Sequence, residues 1–321
     1  MLEAIKHRIA RANNLHFPRE GKDVFLFSTP RGGSTWLSEL ILTQPGFKPS
    51  DEPFNLRDAP IRKELRDRGI DDWPDLYDPS KAEAMLSYVE SIRSGANGVT
   101  NPFFYRNHFR LVTNRICFKI LHAGEDRVRS FRDRFGGFIL FLLRHPIPVS
   151  RSRKVLPRLP AFLGRDFRPH LTSDQIACAE RIAALGTDLE KAVLDWCFQT
   201  AVPLSRAEPE WTIVTYEQLV IDPYPVIRLL SERLELPRPD RMVARLTTPS
   251  SSTHQSDEAT RGRLSENQDL DSRKWLVEKW LKKADPGVVA RAMEPLKAFG
   301  LEDLYRPDGA LPARYWIGER P

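Results

Sequence analysis

Four short apolar runs set what this chain can fold into: DVFLFST (Asp23 to Thr29), ICFKIL (Ile116 to Leu121), GFILFLLR (Gly137 to Arg144) and WTIVTY (Trp211 to Tyr216). Apolar and polar residues barely alternate in them, the pattern of parallel strands covered on both faces rather than of strands with one wet face. Helical patterns lie between and after the runs. SKAEAMLSYVESIRSG offers Ser80 as N-cap, Glu83 for a capping box and Gly95 as a stop, and SDQIACAERIAALGTDLEKAVLDWCFQTA reads as one long helix interrupted near Gly186. DPYPVIRLLSERLEL, DSRKWLVEKWLKKA and DPGVVARAMEPLKAFG follow, the last with Asp285 as cap, Pro286 at the first helical position and Gly300 as terminator. Strands alternating with helices specify an α/β protein: three layers, α/β/α, around a central, mainly parallel sheet that binds ligands at the carboxyl ends of its strands.

A chain of 321 residues is within reach of one large domain, here residues 1–321. Two long irregular stretches, 44–80 and 153–170, carry tryptophan, phenylalanine and proline and are expected to be ordered substrate-binding lids. With 41% apolar and 29% charged residues the chain is not a disordered polymer. Its net charge of +6, carried mainly by arginine, favours anionic ligands but is too dispersed to specify nucleic acid. Cys117, Cys178 and Cys197 are far apart inside apolar-periodic stretches, so neither a disulfide framework nor a CxxC metal site is available and no metal is expected. MLEAIKHRIARANN has no apolar h-region, and FILFLL, the longest strongly apolar run, is far short of the roughly 20 residues a membrane span needs. A cytoplasmic protein follows as the expectation.

The first run ends in a turn, Thr29-Pro30-Arg31-Gly32-Gly33-Ser34-Thr35-Trp36, that leads into the helix STWLSELIL. Two glycines allow close backbone approach, successive N–H groups converge, and the helix N-terminus adds partial positive charge, which together make a cradle for phosphate or sulfate. A Walker loop would place lysine after the last glycine. Here the cation, Arg31, precedes Gly32 and Gly33, and Ser34 follows directly. TPRGGSTWL resembles the 5′-phosphosulfate loop of sulfotransferases that use 3′-phosphoadenosine 5′-phosphosulfate (PAPS) and release 3′-phosphoadenosine 5′-phosphate (PAP). That resemblance implies a P-loop NTPase-like sulfotransferase fold and cofactor contacts from Arg31, Gly32, Gly33, Ser34, Thr35 and Trp36. In FILFLLRHPIPVSRSRKV, Arg144 and Ser152, eight residues apart, are similar to the family's 3′-phosphate motif, with Ser150 as an alternative. IVTYEQLVIDP resembles a late strand–turn–helix segment of the family, especially its tyrosylprotein branch, and puts Tyr216 near the cofactor. Closure over the nucleotide is left among Arg261, Arg263, Arg273 and Lys274, with Lys274 beside Trp275 most like the Lys-Trp pair of the tyrosylprotein branch, and Ser251 or Ser252 as further phosphate contacts.

Sulfuryl transfer, by analogy with phosphoryl transfer, relies on positioning and on neutralising charge at the leaving phosphate, a role for Arg31. A base must also take the acceptor's proton. Two residues compete for it. Glu52 in SDEPFN resembles the Glu-Pro element of carbohydrate and tyrosylprotein sulfotransferases and is favoured. His122 in CFKILHAG resembles the Lys-x-His arrangement of the cytosolic branch, one residue too far from Lys119. Lys119, a cation inside an apolar strand, needs a partner and is a candidate sulfonate contact. The acceptor is expected to bear a hydroxyl, on a carbohydrate, glycolipid or small molecule, and a homodimer is left open. The competing identities are a P-loop nucleotide kinase, which the missing Walker lysine disfavours, and an inactive nucleotide-binding homologue of the sulfotransferases.

Overall fold

The computed structural model describes residues 15–18, 22–97, 108, 110–153, 155–252, 258 and 270–313. Five strands make the central sheet: β1 (Val24–Ser28), β2 (Phe47–Asp51), β3 (Arg115–Ile120), β4 (Phe138–Leu143) and β5 (Thr212–Thr215). Every pairing among them is parallel and the order across the sheet is β2-β3-β1-β4-β5. The chain leaves central β1 for the β2 edge, returns through β3, and then crosses to β4 and β5 on the other side. Connections therefore diverge beside the carboxyl end of β1, the position where open parallel sheets leave a ligand crevice.

Residues of one strand face opposite layers, and the sheet buries both faces. Phe25, Phe27, Phe118 and Phe141 pack with helices α4 (Val128–Phe135) and α7 (Asp188–Leu204). Val24, Leu26, Cys117, Leu140 and Val214 pack with α1 (Ser34–Ile41), α9 (Pro223–Arg233) and α10 (Pro239–Arg245). The result is the expected three-layer α/β/α architecture with an all-parallel sheet. The remaining helices used below are α2 (Ala59–Arg66), α3 (Ala82–Arg93), α5 (Pro146–Arg151), α6 (Ser173–Leu185), α8 (Tyr216–Ile221), α11 (Leu270–Glu278) and α12 (Pro286–Met293).

Several local readings need correction. Residues 44–80 are not irregular throughout, because they contain the edge strand β2, helix α2 and a 3₁₀ turn at Trp73–Leu76. FKPSD escaped notice because its lysine and proline interrupt the apolar pattern, and the proline is tolerated because β2 is an edge strand with a single neighbour. Stretch 153–170 is likewise anchored: Phe162 and Phe167 pack on Tyr77 and Phe198. Ser80 does not cap α3. It lies in a 3₁₀ turn whose cap is Asp78, which accepts from the Ser80 amide. The long helical pattern is two helices that part at Gly186, each opened by a capping box, Thr172 with Gln175 and Thr187 with Glu190. Asp285 caps α12 as expected.

At the centre of the larger layer Phe131 touches the rings of Phe25, Phe27, Phe54 and Phe135 and is fully buried. Phe131→Ala is expected to destabilise the fold by about 3–5 kcal/mol, read as a lowered urea midpoint with an unchanged slope.

Candidate active site

The turn after β1 sits in the crevice. Arg31 has φ 72 and Gly33 has φ 95, so two residues of one turn adopt left-handed backbone. For Gly33 the demand is also steric: a Cβ there would stand 2.4 Å from Cδ2 of Tyr216. At Gly32 a Cβ would meet Ser28 Oγ at 2.4 Å. Both glycines are thus required by the turn's own packing, whatever it binds. Helix α1 then starts with no side-chain cap and no acidic residue in its first turn, so its N-terminal partial charge faces the turn unneutralised by the chain. The hydroxyl of Thr29 is buried there without a partner among the described residues.

Arg144 locks this turn from the end of β4. Its Nη1 donates to the carbonyl of Arg31 at 3.0 Å, and its guanidinium lies 4.0 Å over the ring of Tyr216, the ring that covers Gly33. Trp36 meets Tyr216 edge-on at 6.4 Å. From the other side Trp196 Nε1 donates to the Arg144 carbonyl at 3.1 Å. Burial, and then the neighbouring Arg144 charge, push the Arg31 guanidinium below its ordinary value. Two guanidiniums disfavouring each other beside an uncapped helix N-terminus make a place where an anion is stabilised.

A second cluster adjoins the cradle. Lys119 Nζ donates to Thr35 Oγ1 at 3.2 Å and lies 2.5 Å from Asp51 and 3.3 Å from Glu52. The other oxygen of Glu52 lies 3.1 Å from His122 Nε2 and accepts from Asn55 Nδ2 at 2.9 Å. Glu52 itself is held at φ 51 by its backbone amide, which donates to the Lys119 carbonyl. Burial works to raise the Glu52 carboxyl, but the Lys119 charge and the His122 contact outweigh it and hold the group well below the usual carboxylate range. Burial would lower Lys119, and Asp51 and Glu52 overcome it to raise its affinity for the proton. His122 is lowered, first by burial, with Arg158 and Arg153 adding to the effect and Glu52 opposing it. An ionised carboxylate can only accept, so the neutral imidazole carries its proton on Nε2, leaving the Nδ1 lone pair buried with no partner among the described residues.

The two base candidates are therefore joined rather than alternative, and Lys119 links them to the cradle. Other expected residues fall elsewhere. Ser152 is exposed at the C-terminal end of α5, and its hydroxyl donates to the Val149 carbonyl. Ser150 is buried on α5 and its Oγ has no partner among the described residues. Ser252 contacts Ser250, while the Ser251 amide donates to Glu39 of α1, which ties this segment to the helix behind the cradle. Lys274 is exposed on α11, a helix packed against α8, which Tyr216 opens. Arg273 lies half-buried beside it; Arg261 and Arg263 lie outside the described residues. Asp51, Asn55 and Trp196 were missed. A proline-bearing edge strand and a core helix concealed them.

Among the described residues no His, Cys, Asp and Glu are grouped to hold a metal ion, and no helix is long and apolar enough to cross a membrane. No family model matches the chain, and no curated protein matches it. Among solved structures it is similar to the sulfotransferase domain of the Synechococcus PCC 7002 olefin synthase, at 17% identity over 90% of this chain and 97% of that one, with TM-score 0.45. A sulfotransferase domain from the curacin biosynthetic pathway shares 16% identity over 88% of this chain and 98% of that one, TM-score 0.43. Mouse sulfotransferase SULT7A1, complexed with PAP, shares 15% over 90% and 91%, TM-score 0.41. Likeness at this distance does not assign an activity, which rests on the residues above.

The strand end that carries Arg144 is itself held by His145. Its Nδ1 accepts from the Ile147 amide, its Nε2 donates to the Arg306 carbonyl at 3.2 Å, and its ring lies tilted against Trp280 and edge-on to Tyr305. Burial pushes this imidazole from 6.5 down to about 3. The unfolded chain then binds a proton that the folded chain refuses, so stability present above pH 6.5 is lost as pH falls toward 3. His145→Asn, which can still cap α5, is expected to flatten the stability profile across that window, measured by urea denaturation at stepped pH.

Proposed function

We propose that this protein is a PAPS-dependent sulfotransferase acting on a hydroxyl acceptor. One observation carries the reading: the Thr35–Lys119 bond joins an anion cradle directly to a paired carboxylate and imidazole. The cradle's features fit the cofactor's anionic groups. Arg31, the buried Thr29 hydroxyl and the amides at the start of α1 would hold the 5′-phosphosulfate, and Arg144 the 3′-phosphate. Gly32, Gly33, Ser34, Trp36 and Tyr216 shape the turn, while Lys274 and Ser252 stand on the segments beside it. When bound, PAPS supplies the sulfuryl group, which passes in line to the acceptor oxygen.

His122 takes the acceptor's proton at Nδ1, the only ring nitrogen with a free lone pair in the tautomer that Glu52 imposes. Glu52 orients the ring and stabilises the imidazolium, and its own low proton affinity unsuits it as the base. Lys119 stands between Thr35 and Glu52, where its charge offsets negative charge that builds up in the cradle.

PAP is expected to raise the melting temperature of the wild type more than ATP with magnesium does, and Arg144→Ala to lose most of that shift. A larger shift with ATP, or none with either, would contradict the assignment. With an acceptor in hand, His122→Ala should lower kcat about 10²–10⁴-fold while leaving the PAP shift intact. Because His122 titrates below 6.5, the rate is expected to stay level down to that pH and to fall below it as the base becomes protonated. A Glu52→Gln enzyme more impaired than His122→Ala would instead make Glu52 the base.

A further inference from the structure

Arg158, in the stretch 153–170, is 1% exposed, and its guanidinium is held from several sides. Its Nη1 donates to the Tyr77 hydroxyl at 3.0 Å and pairs with Glu125, and Tyr77 donates in turn to the other Glu125 oxygen at 3.1 Å. Its Nη2 donates to the carbonyl of Leu121 at 2.9 Å. The guanidinium lies 5.1 Å over the ring of Phe162, and Phe162 and Phe167 both pack on Tyr77. Guanidinium, phenol and carboxylate thus close a ring of bonds inside an aromatic box. A buried ion pair is weak evidence for stability, since apolar residues of the same volume often pack in its place without loss. What apolar residues could not supply is the directed bond to Leu121.

That bond holds the backbone of His122. Strand β3 ends at Ile120, so the peptide joining Leu121 to His122 lies beyond the ladder that fixes the strand. The peptide is planar, and its plane governs the direction in which the His122 side chain leaves the chain. Arg158 grips that plane by its carbonyl, and the same guanidinium pins Glu125, three residues past His122. The imidazole is therefore held on both sides along the chain by one side chain. Precision matters there, because Nε2 must meet Glu52 at 3.1 Å while the ring lies 5.6 Å from that of Trp73. Misplacing a reacting group by about 1 Å can cost about 10²-fold in rate.

We propose that Arg158 is a positioning residue for His122. Its fork fixes the chain before and after the imidazole, so that Nε2 stays on Glu52 and Nδ1 keeps the orientation from which it takes the acceptor's proton. Arg158 acts through the backbone and takes no part in the bonds that form or break. The proton-transfer half of this rests on the sulfotransferase reading; the hold on the ring does not. The stretch 153–170 thus acts on the base through one buried side chain.

The test uses the full chain and Arg158→Lys, which keeps the charge but loses the fork. In the wild type the proton on His122 Nε2, bonded to Glu52, is expected as a downfield, slowly exchanging NMR resonance that is absent from His122→Ala. Arg158→Lys should lose that resonance through faster exchange and lower kcat about tenfold or more, with KM and the PAP thermal shift little changed. Phe162→Leu loosens the same box without touching the Leu121 bond, and is expected to lower the urea midpoint while keeping the resonance and the wild-type kcat. Should Arg158→Lys not fold, Arg158→Met combined with Glu125→Gln removes the ion pair as a unit, a change that buried pairs commonly tolerate, and is expected to show the same two losses. The proposal is overturned if Arg158→Lys keeps either the resonance or kcat, if Phe162→Leu loses them as fully, if the wild type lacks the resonance, or if neither Arg158 variant folds. If PAP produces no thermal shift, the sulfotransferase reading fails, while the resonance still tests the hold of Arg158 on His122.

Discussion

Lys119 is a cation on a fully buried strand, β3, one in from the edge of the sheet, and three groups converge on it there. Asp51 from the edge strand, Glu52 from the turn beyond it and Thr35 from the helix after the cradle all meet its ammonium. Removing a partner from a buried charge of this kind is far more costly than the net worth of the pair. That asymmetry ties the ends of β2 and β3 to the start of α1. It also fixes Glu52 in a left-handed conformation that its side chain would not choose, and through Glu52 it sets the tautomer of His122. The glycine turn and the Glu52–His122 pair hold their relation because one buried ammonium links Thr35 to Glu52.

Arg144 has a comparable role on the other flank. Its guanidinium spans the Arg31 carbonyl and the Tyr216 ring, and Tyr216 in turn lies where any side chain at position 33 would have to go. The turn's shape is therefore set by packing as much as by ligand. A glycine-rich turn can be demanded by an aromatic ring alone. What distinguishes this one from a bare tight turn is the charge around it: two arginines and an uncapped helix start, with a buried hydroxyl that has no partner among the described residues.

Much of the fold was legible because the physics is local and repetitive. Non-alternating runs such as FILFLL and ICFKIL announce strands buried on both faces, and the capping residue Asp285 acts within three residues of itself. FKPSD was not legible as a strand, since an edge position tolerates lysine and proline and leaves no apolar signature. In the site, the cradle stood out because a turn's chemistry lies in one short segment. Spacing along the chain does not say which way the Ser152 hydroxyl points, and in the structure it turns back on its own helix. Trp196, which donates to the Arg144 carbonyl, was concealed inside a helix whose pattern reads as ordinary core.

By itself the sequence determined the layered α/β architecture, the glycine turn between a central strand and its helix, and the presence of residues able to move a proton. Each of these follows from neighbours a few positions apart. Only the tertiary structure decided that Glu52 and His122 are one pair, that Lys119 joins them to Thr35, and that Arg144 closes on Arg31 across 113 positions. Those contacts bring together groups distant along the chain, and their energies exist only where folding has removed water from between them. No local pattern encodes such a distance, because it is set by the order in which five strands lie side by side.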